Sequence, residues 1–258
     1  MAKRKKYRSP LAGLGPLVLA LLFLYSAVLI MDQVQTAKKG FGPGDFYWDG
    51  DRMACISADA VTGIDVSYYQ EEIDWPQVKA SGIEFVFVRL GYRSSDDGSL
   101  CVDKTAHRNL AQAKEAGLLV GAYFFSQAVT PVEASQEAEF ALEVVADYEL
   151  DLPLAYDWEI VNETARTQGM TKEKLMACVE VFCTKVEAAG YDSLVYFNRD
   201  ISQQLLNLDR LDREIWFAMY DSSYPDLPRK PRYWQYTNEG KVPGIQGNVD
   251  LNLGFFYP

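Results

Sequence analysis

The sequence of 258 residues has a single histidine, four cysteines and fewer basic than acidic residues, and these shortages disfavour several kinds of chemistry. A zinc site built on imidazoles needs several histidines, and a Ser-His-Asp or Cys-His nucleophile would have to use His107. His107 lies in a stretch that is typical of a surface helix, so we interpret it as a solvated helical residue. Histidine-based catalysis is therefore disfavoured.

The cysteines lack the spacing of a metal site, and no glycine-rich phosphate loop follows a predicted strand. The sequence therefore predicts neither a metal nor a cofactor. Cys178 and Cys183 are five residues apart on a predicted helix, which is poor geometry for a disulfide. In an oxidising compartment we expect Cys55 to pair with Cys101, one of three pairings that four cysteines allow.

Basic residues are concentrated at the N-terminus, where Lys3, Arg4, Lys5, Lys6 and Arg8 precede an uncharged run. The remaining chain has 20 Lys and Arg against 36 Asp and Glu, a net charge of −16 compared with −11 for the whole sequence. This excess of acidic residues argues against a nucleic acid partner and against electrostatic binding to lipid head groups.

The uncharged, mostly apolar run from Leu11 to Met31 is long enough to cross a bilayer. As a helix it would span roughly 31 Å, against a hydrocarbon core of about 30 Å. The basic cluster before it predicts a cytoplasmic N-terminus and an extracytoplasmic remainder. The alternative is secretion after signal cleavage, but the run exceeds the usual apolar region of about 7–15 residues, and no clear cleavage site follows.

We therefore divide the chain into four parts: a cytoplasmic basic segment (1–10), a transmembrane anchor (11–31), an extracytoplasmic stalk (32–60) and one folded domain (61–258). The stalk assignment rests on glycines mixed with aromatic and charged residues. No internal repeat or second domain is visible, and we expect a monomer.

After the predicted stalk, short apolar or alternating runs take turns with helical patterns. The predicted strands are 63–67, 84–90, 119–126, 152–158, 193–197, 214–220, 232–236 and 248–253, and the predicted helices are 75–81, 104–116, 131–148 and 172–189. This alternation favours right-handed βαβ units and a parallel sheet. We predict an α/β fold, a TIM-like barrel of about eight strands with reduced later helices, whose functional residues lie at the carboxyl ends of the strands.

Acidic residues fall at these strand ends: Asp65 in the first predicted strand, Asp157 and Glu159 in the sequence Tyr-Asp-Trp-Glu, and Asp250 in the last. Side chains two residues apart on a strand point the same way, so Asp157 and Glu159 would share the barrel interior. Two close carboxylates in a partly desolvated cleft leave a protonated acid beside an ionised partner. Glycoside hydrolysis requires this division of roles. Any one of these acids alone is better explained as a cap or salt bridge, but four converge on one predicted face.

Aromatic and polar residues near the same strand ends form a candidate sugar-binding surface, because flat rings suit the apolar faces of pyranoses. They are Tyr68, Tyr123, Phe125, Tyr220 and Trp234, with Arg89 and Gln235 as polar contacts. Each has an alternative role in barrel packing. For Phe125 and Trp234 the two interpretations are balanced, whereas Tyr123 and Tyr220 favour the functional one.

Several stretches together resemble glycoside hydrolase family 25, the lysozymes that cut between N-acetylmuramic acid and N-acetylglucosamine in peptidoglycan. The resemblance covers about residues 63–255 and includes GIDVSYYQEEIDWPQVKASGIEFVFVRLGYR, AGLLVGAYFFSQAVTPVEASQEAEF, LPLAYDWE, IWFAMY and YWQYTNEGKVPGIQGNVDLN. It implies that peptidoglycan glycan strands are the substrate. With the predicted anchor in place of wall-binding modules, it favours local remodelling of the cell wall.

The resemblance also implies roles for the carboxylates. Glu159 would be the general acid, Asp157 would stabilise positive charge at the anomeric carbon, and Asp65 and Asp250 would flank them. Retention through a covalent aspartate intermediate and retention through the substrate's N-acetyl group both stay open.

Two other functions compete with this hypothesis. One is a catalytically silent wall-binding barrel, which a fold by itself never excludes. The other is a chitinase-like barrel of family 18, whose Asp-x-x-Asp-x-Asp-x-Glu run is absent because the residues before Asp157 are Pro-Leu-Ala-Tyr.

Overall fold

The structure, a computed structural model, describes Phe23, Tyr25, Ser26 and residues 40–256. Apart from those first three residues, the predicted basic segment and transmembrane anchor lie outside the described part. Within the described part, no helix is long and apolar enough to cross a bilayer. The chain forms two compact units, and in the smaller one the backbone N–H of Gly40 donates to the carbonyl of Pro228 at 3.2 Å.

The larger unit contains all the strands and helices named here. The strands are β1 (Phe46–Asp49), β2 (Arg52–Cys55), β3 (Ala60–Val66), β4 (Phe85–Arg93), β5 (Leu100–Val102), β6 (Leu119–Ser126), β7 (Leu154–Trp158), β8 (Ser193–Asn198), β9 (Glu214–Ala218), β10 (Tyr233–Gly240) and β11 (Val249–Phe255). The α-helices are α1 (Trp75–Ala80), α2 (Ala106–Glu115), α3 (Pro131–Val145), α4 (Lys172–Ala188) and α5 (Arg199–Gln204), and single 3-10 turns cover Pro43–Asp45 and Tyr68–Gln70.

Eight strands close into a barrel in the order β3-β11-β10-β9-β8-β7-β6-β4, and β4 pairs with β3 to complete the ring. All eight predicted strands and all four predicted helices are present, so the predicted α/β barrel with reduced later helices is confirmed. The sheet is not wholly parallel as predicted, because β11 runs antiparallel to both β10 and β3. A parallel crossover needs about a dozen residues or more, and the connection 241–248 is shorter than that.

Aromatic rings fill the middle of the barrel. Phe87 stacks on Trp216 with ring centroids 4.6 Å apart, and Phe87 also meets Tyr233 edge to face at 4.9 Å. A Cβ atom added to Gly121 would lie 2.4 Å from the Phe87 ring, so this close packing requires a glycine there. These rings therefore fill the middle of the barrel in the described part of the chain.

The β1–β2 hairpin, within the predicted stalk, covers the outside of the barrel where helices are missing. Phe46 is buried, and its ring lies 5.0 Å from Trp234 and 6.0 Å from Phe255. Trp48 contacts Tyr236 at 5.9 Å. Residues 46–55 therefore pack against β10 and β11 rather than forming a free stalk, because the apolar outer faces of these strands need a cover.

All four cysteines are free thiols, so the expected bridge between Cys55 and Cys101 is absent from this structure. Cys55 ends the hairpin that packs over β10, whereas Cys101 lies in β5 beside β4. Each sulfur lies near a serine of its own segment instead, with Cys55 Sγ 3.7 Å from Ser57 Oγ and Cys101 Sγ 4.0 Å from Ser99 Oγ. The other two, Cys178 and Cys183, are buried in α4.

We expect Phe46→Ala to lower the free energy of unfolding by about 3 kcal/mol, because it removes a buried ring from the cover over β10. Tyr47→Ala is the matched control, since Tyr47 is the next residue of the same strand and is 49% exposed. Urea unfolding of both variants measures the difference. Equal losses in the two variants would contradict this packing role.

Candidate active site

A cavity of about 200 Å³ lies at the carboxyl ends of the barrel strands and brings all four predicted carboxylates together. It is lined by Asp65, Ser67, Tyr69, Gln70, Arg89, Tyr123, Phe125, Asp157, Glu159, Tyr196, Trp216, Tyr220, Gln235 and Asp250. A groove of about 790 Å³ between α1, α2 and the β10–β11 connection is larger, but it contains none of these carboxylates. The smaller cavity is therefore where carboxylate chemistry is concentrated.

Strand register accounts for the convergence of the carboxylates. Asp65 in β3 stands directly opposite Asp250 in the antiparallel β11. Asp157 lies near the end of β7, and Glu159 follows the strand's last residue, Trp158. Trp158 is buried on the other side and donates its indole N–H to the carbonyl of Ala128 at 2.9 Å. The alternation of the strand thus places the two acids on the cavity side.

Asp157 and Glu159 form a coupled pair. Burial is the main cause that raises both pKa values, and it raises that of Asp157, which is 5% exposed, well above its ordinary range. The charge of Glu159 and a hydrogen bond between the two carboxyls raise the pKa of Asp157 further. Burial and the repulsion between the two carboxyls therefore favour a state in which the pair shares one proton.

The other two carboxyls also resist ionisation. Burial raises the pKa of Asp65 to about 6, although hydrogen bonds from Asn252 and Gln235 act in the opposite direction. Burial, followed by the charges of Asp65 and Glu159, raises the pKa of Asp250 to about 9. The site therefore contains both protonated and ionised carboxyls near neutral pH, as acid-assisted bond cleavage requires.

Arg89 is the single cationic side chain among the residues that line this cavity in the described structure. Its Nε donates to Asp103 at 2.9 Å, and its guanidinium lies 4.9 Å from the ring centroid of Tyr68. Its Nη2 is buried and has no hydrogen-bond partner within the described part of the chain. Arg89 thus brings positive charge and an available donor to the site.

The Glu159 backbone is held by the end of the neighbouring strand. Gln127 is fully buried, and its side-chain amide donates to the Glu159 carbonyl at 2.7 Å. Arg166 in turn donates to the carbonyl of Gln127 at 2.8 Å and pairs with Glu133 at 2.6 Å. This support ties the segment after β7 to β6 and α3.

Most of the predicted sugar-contact residues line the cavity: Arg89, Tyr123, Phe125, Tyr220 and Gln235. Tyr68 packs behind it against Arg89, and its neighbour Tyr69 lines the cavity instead. The expected place of Trp234 in this surface is wrong. Trp234 is fully buried on the outside of β10, because Gln235 takes the inward position of that strand. His107 is exposed on α2 beside Tyr148, away from the cavity.

Sequence reasoning missed five lining residues: Ser67, Tyr69, Gln70, Tyr196 and Trp216. Tyr196 and Trp216 lie inside predicted strands, so inward alternation from the strand ends was the signal that could have identified them. Ser67 ends the predicted strand 63–67, two residues after Asp65, so the same alternation could have identified it. Tyr69 and Gln70 belong to the turn after β3, on which strand periodicity does not report.

A TIM-like barrel with carboxyls and aromatic rings at the carboxyl ends of its strands is typical of glycoside hydrolases. The model of the glycosyl hydrolases family 25 matches residues 64–245, and the chain belongs to this family. The resemblance seen in the sequence is thereby confirmed at the level of the family.

Two known proteins of similar sequence carry lysozyme names. The chain is 30% identical over 190 residues to the autolytic lysozyme of Clostridium acetobutylicum, an alignment that covers 74% of this chain and 54% of that one. It is 24% identical to lysozyme M1 of Streptomyces globisporus, with 93% and 91% of the two chains covered. This chain therefore spans about half the length of the Clostridium protein.

Solved structures support the same fold. The modular autolysin LytC of Streptococcus pneumoniae, determined in complex with a synthetic peptidoglycan ligand, is 27% identical with a TM-score of 0.69, over 84% of this chain and 52% of that one. A family 25 glycosyl hydrolase of Bacillus anthracis is 23% identical with a TM-score of 0.68, over 82% and 95% of the chains. The second likeness concerns the fold alone.

As the pH rises from about 4 to about 9, we expect the free energy of unfolding of Asp250→Asn to increase relative to that of the native chain. The native Asp250 keeps a proton until about pH 9, whereas the unfolded residue loses it near its ordinary pKa of 3.8. The native chain therefore loses stability as pH rises through this window, and asparagine does not titrate. Urea unfolding at several pH values measures the effect, and a difference independent of pH would contradict it.

Proposed function

We propose that this chain is a muramidase, which hydrolyses the β-1,4 bond between N-acetylmuramic acid and N-acetylglucosamine in peptidoglycan. The observation that carries the proposal is the coupled pair of Asp157 and Glu159, which shares a proton in a cavity lined by aromatic rings. The Clostridium relative is named an autolytic lysozyme, and LytC was determined with a synthetic peptidoglycan ligand. Both names support peptidoglycan as the substrate.

In this mechanism Glu159 donates a proton to the oxygen of the leaving sugar, and ionised Asp157 stabilises the positive charge that develops at the anomeric carbon. Burial favours the protonated form more strongly at Asp157, which is the more buried of the two. The hydrogen bond between the carboxyls is the path by which that proton reaches Glu159. Water then supplies hydroxide to the anomeric carbon and a proton to restore the pair.

The walls of the cavity suit a sugar. The rings of Tyr69, Tyr123 and Tyr220 offer flat apolar surfaces to pyranoses, and Tyr69 is 69% exposed at the rim. The unpaired Nη2 of Arg89 is a donor for a sugar carbonyl or carboxylate. These groups would orient the glycan across Asp157 and Glu159.

The test is to incubate the full chain, solubilised in detergent, with bacterial peptidoglycan and to identify the new reducing ends by mass spectrometry after borohydride reduction. We expect muramic acid reducing ends, and a loss of about 10²–10⁴-fold in rate for Glu159→Gln, because the general acid is removed. Glu163→Gln is the matched control, since Glu163 is exposed in the following loop.

Two outcomes would overturn parts of this proposal. Near-normal turnover by a folded Glu159→Gln variant would exclude Glu159 as the acid. Intact glycan after incubation with the folded native chain, across several cell walls and pH values, would instead support a silent wall-binding barrel.

We further propose that residues 11–31 remain as a membrane anchor, with a cytoplasmic N-terminus and an extracytoplasmic catalytic domain. The apolar run and the basic cluster before it support this topology. We expect the chain to stay in the membrane pellet after alkaline carbonate washing and to be digested by protease added outside spheroplasts. A shortened form released into the medium would show signal cleavage instead, and protection from the protease would contradict the topology.

A further inference from the structure

Two buried side-chain amides donate to the same oxygen of Asp65. The Nε2 of Gln235 and the Nδ2 of Asn252 each lie 2.8 Å from Asp65 Oδ2. Gln235 is 3% exposed and Asn252 is fully buried, so water does not compete for these bonds. Asp65 therefore receives two short hydrogen bonds in a site where burial favours its protonated form.

The direction of each amide is set at its far end. The indole N–H of Trp216 donates to Asn252 Oδ1 at 2.8 Å. Because an indole is a donor only, the amide oxygen of Asn252 must face Trp216 and its nitrogen must face Asp65. The hydroxyls of Tyr196 and Tyr220 donate to Gln235 Oε1 at 3.0 Å and 2.6 Å, which turns that amide nitrogen toward Asp65 as well.

We infer that Gln235 and Asn252 are positioning residues that keep Asp65 ionised and in one orientation, an inference that rests on the proposed function for its catalytic meaning. Both donors act on Oδ2, so Oδ1 is the oxygen that remains for a bound sugar. Gln235 therefore acts through Asp65 as well as lining the cavity. Tyr196 of β8, and Trp216 and Tyr220 in and after β9, hold the two amides in place.

The two amide hydrogen bonds counteract the effect of burial on the pKa of Asp65. Burial raises the pKa of Asp65, and the two amide bonds lower it, with a net value of about 6. The titratable and charged groups that line the cavity with Asp65 are Tyr69 after β3, Arg89 of β4, Tyr123 of β6, Asp157 and Glu159 at β7, Tyr196 of β8, Tyr220 after β9 and Asp250 of β11. Among these groups Arg89 is the cation, and it already pairs with Asp103. The amides are therefore the donors that directly favour ionised Asp65.

The experiment is a ¹³C NMR titration of the Asp65 side-chain carboxyl in the full chain, with Asp65→Asn used to assign the resonance. Asn252→Leu removes one donor, so we expect the Asp65 pKa to rise by about 1. Asn252→Asp keeps the size and the acceptor for Trp216 but puts a carboxyl beside Asp65, and we expect a larger rise. This second variant preserves the shape of the site if leucine impairs folding.

Two further variants complete the series. Tyr220→Phe removes one of the two hydroxyls that direct Gln235, so we expect a smaller rise in the same direction. Asn109→Leu is the matched control, because Asn109 is also fully buried but bonds to Thr105 in α2, and it should leave the Asp65 titration unchanged. An unchanged Asp65 pKa in folded Asn252→Leu and Asn252→Asp would overturn the inference.

Enzyme kinetics supplies a second measurement. In Asn252→Leu we expect the acid limb of kcat/KM to move to higher pH by about 1, which corresponds to about tenfold lower activity below the limb. A uniform loss at every pH would indicate a structural role only and would overturn the inference. The NMR titration needs no substrate, so it tests the two amides even if the chain does not cleave peptidoglycan.

Discussion

The burial of four carboxyl groups at one end of the barrel is the constraint on which the rest of the site depends. Aromatic rings, including the stacked pair of Phe87 and Trp216, form a buried cluster in the barrel beneath these carboxyls. Ionised carboxylates are costly in such surroundings, so each must hold a proton, share one or receive hydrogen bonds. Asp157 shares a proton with Glu159, Asp250 stays protonated, and Asp65 receives two amide donors.

The same constraint extends to a second layer behind the cavity. Arg93 and Glu137 form a buried ion pair at 2.7 Å, and Glu137 also accepts from the Ser126 hydroxyl at 2.6 Å. Burial raises the pKa of Glu137 to about 7 in spite of the arginine. The cost of removing the two charges from water therefore offsets most of their attraction, and the pair adds little to the free energy of unfolding. The pair instead fixes positions, because Glu137 of α3 bonds to the end of β4 through Arg93 and to the end of β6 through Ser126. Gln127, the next residue, holds the Glu159 backbone.

The barrel itself imposes a different requirement on its outer face. Helices α1 to α4 cover the early strands, but no α-helix of the described structure lies between β9 and β10 or between β10 and β11. The hairpin of β1 and β2 takes their place, with Phe46 against Trp234 and Trp48 against Tyr236. A segment that precedes the barrel in the chain thus completes the packing of its last strands. This also explains why Trp234 is part of the outer core and not of the sugar-binding surface.

Local pattern in the sequence was sufficient for the barrel strands and for helices α1 to α4, because period-two and helical alternation directly report which face is buried. It also identified Asp65, Asp157, Glu159 and Asp250, since strand ends of such a barrel meet at one rim. The hairpin cover, the antiparallel β11 and the unpaired cysteines depend on which strands become neighbours, which no local pattern specifies.

The roles of Gln235 and Asn252 were decided in the same way. Their contacts with Asp65 join residues 170 and 187 positions apart, and their direction depends on Trp216, Tyr196 and Tyr220 from other strands. The sequence by itself determined the barrel strands, the four carboxyls near their ends and the family that the chain resembles. Only the tertiary structure decided which carboxyl is protonated and which donor meets it, because desolvation and hydrogen bonding arise between side chains that are distant in the sequence.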